Sequence, residues 1–246
     1  MKKTRVDVLL VERGLAPSRA RAQAYIMAGR VFHVEQRVDK PGLALPSDAA
    51  LSVRGLERFV SRGGYKLEGA LDAFRAQLDP EGLTVVDIGA STGGFTDCLL
   101  QRGAARVYAV DVGEGQLAQQ LANDPRVVVR DRTNARFLAE SDFPEPIDLI
   151  TIDASFIGLS KLAPAARSTL RPGGHLLAMV KPQFEVGREA ARQHQGVIRD
   201  PELRSAAISN ATESLTTVGF EILASVDSTL PGPKGNLERF VLARRP

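Results

Sequence analysis

The chain has 246 residues, enough for one α/β domain of ordinary size with a small appendage, and its 43% apolar content supplies a sizeable core. A single cysteine, Cys98, excludes a disulfide framework, and His33, His175 and His194 lack ligand spacing, so no metal site is expected. Lys2 and Lys3 have no apolar run behind them and no stretch approaches the roughly 18 apolar residues of a membrane span, which predicts a cytoplasmic protein. Charge is uneven: residues 1–66 hold 13 of the 32 Lys and Arg but only 6 of the 29 Asp and Glu, so the basic end is the candidate nucleic-acid footprint.

Along the chain, Thr4-x-x-Asp7 reads as a capping box ahead of an apolar run over 8–11, and Gly14 closes that helix. Ser18 caps a second helix over 19–28, ended by Gly29. Its Arg19 and Arg21, with the flanking Arg30, can follow a phosphate track while Ala22, Tyr25 and Ile26 face the core. Strands over 31–34 and 51–53 follow, with Lys40-Pro41-Gly42 in the loop between them. A solvated charged face is the competing reading of these arginines. Residues 54–65, rich in Gly and charge, read as a linker running into a helix at Lys66, in which Leu67, Ala70, Leu71, Phe74 and Leu78 form one stripe. Lys66, at a Gly-preceded helix start, suits delivery into a cleft. The division is therefore a small domain over 1–60 and a large one over 61–246, with 61–65 as the entry to its first helix.

Residues 83–96, LTVVDIGASTGGFT, organise the large domain. A buried parallel strand leads into Asp87, then Gly89, Gly93 and Gly94 crowd a turn before an apolar helix pattern from Phe95 and Thr96. Free N–H groups at that helix start and a backbone without Cβ atoms suit a ligand held close. The next strand ends on Asp111, about twenty residues on, where a carboxylate accepts from both hydroxyls of a ribose. The spacing Gly-x-x-x-Gly-Gly, with Ser91 where a dinucleotide fingerprint has its second glycine, disfavours NAD. Asp87 suits an α-ammonium, directly or through water, and the set points to S-adenosylmethionine. Asp131 and Asn134, after the third strand, are expected near the adenine. A purely structural turn is the competing reading.

Strands are predicted over 83–88, 106–111, 126–130, 147–152, 175–180, 220–227 and 239–243. Helical patterns lie between the first five, and a helix over 202–218 carries Leu203, Ala207, Ala211 and Leu215 at spacing four. The fold class is α/β, a doubly wound, seven-stranded, mostly parallel sheet. The last two strands, joined through Pro231-Gly232-Pro233 and Gly235-Asn236, should pair antiparallel at an edge. Ligands belong at the carboxyl ends of the strands, where Asp153, Lys181 and Glu238 fall, with Lys66 from the preceding helix. Singly each is a solvated charge; together they form a candidate catalytic constellation.

Arg5-Val6-Asp7 with Leu9, Ser18-Arg19-Ala20-Arg21-Ala22, Gly29-Arg30 and Val38 followed by Lys40-Pro41-Gly42 resemble an S4 RNA-binding domain. Where such domains usually have a Val-Asn-Gly turn, Val34-Glu35-Gln36 stands here and a looser turn is expected. Asp87-Ile-Gly-Ala-Ser-Thr-Gly-Gly-Phe-Thr96, Asp153-Ala-Ser-Phe-Ile157, Lys181-Pro-Gln-Phe-Glu185 and Gly235-Asn-Leu-Glu238 look like an FtsJ-like methyltransferase domain. Joined, the two resemble the TlyA or haemolysin-A family of ribosomal-RNA 2′-O-methyltransferases over essentially the whole chain. The resemblance implies a Rossmann-like enzyme that uses S-adenosylmethionine to methylate a ribose, cytidine being the expected nucleotide, in ribosomal RNA or ribosomal subunits. It makes Lys66, Asp153, Lys181 and Glu238 the catalytic set and Arg5, Arg19, Arg21 and Arg30 RNA contacts; neither a membrane nor an obligate protein partner is expected from the sequence. A ribose hydroxyl is a poor nucleophile, so neutral Lys181 is the candidate base; the alternative is that two lysines polarise the oxygen while proximity carries the rate. A small-molecule methyltransferase is disfavoured by the basic end, a membrane-active haemolysin by the absence of a spanning segment, and an inactive assembly factor by the intact four-residue set.

Overall fold

A computed structural model describes residues 3–55 and 57–246; Met1, Lys2 and Leu56 lie outside the described residues, and with them the reading of Lys2. The chain divides into two units, Met1–Arg58 and Phe59–Pro246.

In the first unit β1 (Lys3–Arg5), α1 (Val6–Glu12), α2 (Arg19–Met27), β2 (Val31–His33), β3 (Gln36–Arg37), β4 (Ala44–Pro46) and β5 (Leu51–Val53) follow one another. β1 pairs antiparallel with β4, and β2 lies between β3 and β5. Val6, Leu10, Ala16, Ala22, Ile26, Val31 and Val38 form the core. Ser18 caps α2 as expected, its Oγ accepting from the Arg21 N–H at 3.2 Å. The capping box is not formed: Thr4 belongs to β1, the N-cap of α1 is Arg5, and no side chain caps that helix. The turn after β2 is tight rather than loose. His33 pairs with Gln36 across Val34-Glu35, which holds the exposed, β-branched Val34 at φ 56°, a left-handed conformation that two-residue hairpin turns demand.

The second unit runs α3 (Arg62–Ala73), β6 (Thr84–Ile88), α4 (Gly94–Gln101), β7 (Arg106–Val110), α5 (Gln119–Ala122), β8 (Val127–Arg130), β9 (Ile147–Ile152), α6 (Ala163–Thr169), β10 (Leu170–Val180), α7 (Pro182–Glu185), α8 (Arg188–Gln193), α9 (Pro201–Thr217), β11 (Glu221–Asp227) and β12 (Arg239–Arg244). The sheet order is β11-β12-β10-β9-β6-β7-β8, with β12 antiparallel to both neighbours. The other pairings are parallel. Successive residues of a strand feed opposite layers: Ile150 and Leu176 pack with Val86 and Tyr108, whereas Leu149 and Leu177 pack with Leu67, Leu99 and Phe240. Cys98 is a buried member of the second layer.

Three expectations are corrected. α3 begins at Arg62, so Lys66 lies in its second turn rather than at its start, and Phe74 and Leu78 are buried beyond its end. Between β8 and β9 the described residues form only two 3₁₀ turns, Ala135–Phe137 and Glu140–Asp142, because Pro144 and Pro146 cannot continue a helix. β10 starts at Leu170, passing through Pro172-Gly173-Gly174 with a register shift before His175. Among the described residues no helix is long and apolar enough to cross a membrane, and no group of His, Cys, Asp and Glu could hold a metal ion.

Candidate functional site

Two cavities open at the carboxyl ends of the parallel strands. One, of about 400 Å³, is lined by Lys66, Asp153, Lys181 and Glu238 together with Gly94 and Phe95. The other, of about 370 Å³, is lined by Asp111 and Asn134 among Ile88, Val110, Ala135, Ile157 and Leu162. Gly89, Ser91, Asp153 and Ser155 line both.

Close backbone approaches bring these walls together. Gly89, at φ 84°, follows β6, and a Cβ there would lie 2.9 Å from the Asp153 carbonyl oxygen, so the loop after β6 runs against the loop after β9. A Cβ on Gly94 would collide with Ser61 Oγ and come within 2.9 Å of the Gly64 nitrogen, so the first turns of α3 and α4 touch and Lys66 reaches the first cavity.

Within that cavity the four expected residues form two ion pairs. Lys66 Nζ donates to Glu238 Oε2, and both side chains are buried. Lys181 Nζ donates to the Asp153 carbonyl oxygen at 3.1 Å and to Ser155 Oγ at 3.0 Å. It also lies 2.6 Å from Asp153 Oδ1, an ionic contact outside hydrogen-bonding geometry, so that buried oxygen has no directed donor. Removing one member of a buried pair strands the other charge at a cost of about 3–5 kcal/mol. These lysines are therefore held by the carboxylates.

In the second cavity Asp111 Oδ2 accepts from the Ser91 N–H at 2.8 Å and its Oδ1 from the Gly113 N–H at 2.7 Å. Ser91 adopts φ 48°, the left-handed turn that a glycine would have taken without strain. Asn134 Oδ1 accepts from the Arg136 N–H at 3.1 Å.

Four of the sequence-predicted binding residues line neither cavity. Asp131 Oδ2 accepts from the Gly115 N–H at 2.8 Å. Gly93 backs onto the Leu117 and Leu121 side chains. Asp87 is fully buried behind the glycine loop, accepting from Thr96 Oγ1 at 2.7 Å and Thr151 Oγ1 at 3.0 Å. Burial, with the charge of Asp153 adding to it and the threonine bonds opposing, pushes the Asp87 carboxyl up to about 6. Asp87 and Thr96 thus tie β6, β9 and α4 together and shape the loop from behind. Gly94 and Phe95 line the first cavity rather than the second.

Sequence reasoning missed several wall residues. Ser155 and Phe156 follow Asp153 in a motif already singled out, so that motif was their available signal. Phe156 is 91% exposed at φ 65°, its ring 5.1 Å from that of Phe184. Ser61, Arg62 and Gly63 were hidden inside the apparent linker.

In the first unit Arg5 and Arg19 converge on Asp7, Arg21 lies exposed with its guanidinium 5.4 Å from the Tyr25 ring, and Arg30 is exposed.

The model of the FtsJ-like methyltransferase family matches residues 59–245, and that of the S4 domain matches residues 4–47. The chain is 46% identical over 239 residues to "Putative rRNA methyltransferase YqxC" of Bacillus subtilis, covering 96% of this chain and 84% of the relative. It is 44% identical over 245 residues to "16S/23S rRNA (cytidine-2′-O)-methyltransferase TlyA" of Mycobacterium tuberculosis, covering 99% and 90%. Among solved structures, "Putative hemolysin from Streptococcus thermophilus" is similar with a TM-score of 0.73 at 40% identity, over 100% of this chain and 89% of that one.

Proposed function

The chain belongs to the FtsJ-like methyltransferase family, with an S4 domain ahead of the family's own domain, and from that premise we propose that it methylates a ribose 2′-oxygen, that of a cytidine, in ribosomal RNA. The cofactor is S-adenosylmethionine, which when bound supplies a sulfonium methyl group as the electrophile. The observation that carries this reading is the joining of two cavities through Gly89, Ser91, Asp153 and Ser155, one with an acidic strand end and apolar walls, the other with two lysine–carboxylate pairs. The fit to the cofactor rests on Asp111, suited to ribose hydroxyls, on the apolar sides of that cavity, and on Gly89, where any side chain would strike the opposite loop.

In this reading the target sugar enters the first cavity. Its 2′-hydroxyl must lose a proton as the oxygen attacks, because a neutral hydroxyl is too weak a nucleophile. Lys181, oriented by Asp153 and Ser155, is the candidate acceptor of that proton; Lys66, tied to Glu238, steadies the charge that develops on the oxygen. The small unit supplies RNA affinity through its arginines.

The test is transfer of labelled methyl from S-adenosylmethionine to purified ribosomal subunits, followed by mapping of the modified nucleotide. Label on a ribose 2′-oxygen of a cytidine is expected; label on a base, or on a small molecule alone, contradicts the reading.

A further inference from the structure

Asp7 stands in the first turn of α1 with its side chain fully buried, and five donors converge on its two oxygens. Arg5 Nε donates to Oδ1 and Arg5 Nη2 to Oδ2, each at 3.0 Å. Arg19 Nε at 3.2 Å, Arg19 Nη2 at 3.1 Å and Gln23 Nε2 at 2.9 Å all donate to Oδ2. These bonds, that of Arg5 foremost, hold the Asp7 carboxyl well below the usual carboxylate range against the opposing effect of burial. A well-packed apolar side chain generally serves a small core as well as a buried ion cluster does. Asp7 is therefore better explained by what it does to the arginines.

Each guanidinium carries five N–H donors in a planar fork. Arg5 and Arg19 each direct one Nε and one Nη2 donor inward, which leaves three N–H groups on each, and their side chains are 49% and 57% exposed. The Arg5 fork is supported from the other side as well. A Cβ on Gly42 would lie 3.3 Å from Arg5 Nη1, so the guanidinium lies against bare backbone there. That turn is itself fixed to α1, the Asp7 N–H donating to the Pro41 oxygen and the Val6 N–H to the Leu43 oxygen. Arg5, Asp7, Arg19 and the Pro41-Gly42 turn, separate motifs in the sequence, are one device in space.

A mobile surface arginine loses rotamer freedom when it grips a phosphate, whereas one already held in a fork has lost that freedom on folding. We propose that Asp7 is a positioning residue that locks Arg5 and Arg19 into a rigid, outward-facing pair of guanidinium forks for the phosphate backbone of RNA. The proposal rests on the RNA reading of the small unit given above. It predicts a sign opposite to simple electrostatics: removing the Asp7 charge makes the unit more positive, which by itself tightens RNA binding, but it also releases the two forks, which weakens it.

The experiment measures binding of the full chain to purified ribosomal subunits across a salt series, with S-adenosylmethionine calorimetry and thermal melting as parallel readouts. Asp7→Asn is expected to bind S-adenosylmethionine as the unaltered chain does and to bind subunits more weakly by about tenfold or more, the magnitude of one hydrogen bond to a charged group. Its salt slope should fall by about one for each phosphate that the freed arginines no longer hold. Adding Asp7→Asn to a chain that already carries both Arg5→Ala and Arg19→Ala should weaken binding little further, because Asp7 acts through those two forks. Tighter or unchanged subunit binding by Asp7→Asn, while Arg19→Ala weakens it, overturns the positioning role and leaves the RNA reading intact. No effect of Arg5→Ala or Arg19→Ala overturns the RNA reading of these arginines itself. If Asp7→Asn does not fold, Arg19→Lys decides: it keeps the charge but not the fork, so weaker binding supports the proposal and unaltered binding overturns it.

Discussion

The two units set cations against carboxylates in opposite ways. In the small unit one buried carboxylate, Asp7, is ringed by arginines whose side chains stay about half exposed. In the large unit the cations go inside: Lys66 and Lys181 are buried beside Glu238 and Asp153. An exposed guanidinium keeps several donors for phosphate oxygens, whereas a buried ammonium is a compact charge that can act on one atom and can lose its proton. In the proposed function, the same elementary pairing, turned inside out, serves binding in one unit and chemistry in the other.

The sharpest break in this contrast is Lys181→Ala, expected to lower methyl transfer to ribosomal subunits by about 10²-fold or more, the usual contribution of a general base, with cofactor affinity by calorimetry nearly unchanged. Next in size is Glu238→Gln, which leaves Lys66 buried without its counter-charge. Urea unfolding should show a loss of about 3 kcal/mol for this variant, whereas Arg21→Ala on the exposed face should stay within about 0.5 kcal/mol. Equal effects of the two would erase the distinction between inner and outer cations.

Asp87 gives a pH signature of comparable size. Its carboxyl is raised by burial from 3.8 to about 6, so the folded chain holds that proton more tightly than the unfolded chain does. The stabilisation from this group is fully present below pH 3.8 and is lost as pH rises through about 6. Relative to the unaltered chain, Asp87→Asn should therefore gain stability by about 3 kcal/mol across that window and show no further change above it. A difference in unfolding free energy that does not vary with pH would contradict the assignment. The smallest effect belongs to Arg21→Ala, which should reduce the salt slope of subunit binding by about one and leave the rate at saturating RNA alone.

Much of this was legible in the sequence, for physical reasons. Apolar runs rich in β-branched residues, such as Val85-Val86 and Leu149-Ile150, marked buried parallel strands, and the charges following those strands were bound to share one sheet edge once the strands were neighbours. What escaped was set by burial and close approach. Gly63 and Gly64 read as part of a linker, but they open α3, where Phe59 presses on Gly64 and Gly94 faces Gly63. Asp87 and Asp111 look alike in sequence, and only the threonines around the first and the open wall beside the second separate a scaffold carboxylate from a cavity one. Asp7 looked like half of a capping box because a local pattern cannot reveal Arg19 and Gln23 arriving from the next helix.

The division of labour between buried and exposed cations is tested most directly by single-turnover methylation of ribosomal subunits as a function of RNA concentration, comparing Lys181→Arg with Arg19→Ala. Lys181→Arg should lower the rate at saturating RNA by about 10²-fold without moving half-saturation, because a guanidinium keeps its proton near neutral pH. Arg19→Ala should move half-saturation and leave the saturated rate unchanged. If Lys181→Arg instead retains most of the rate, Lys181 serves only as a positive clamp, and the proposed proton transfer to it is contradicted.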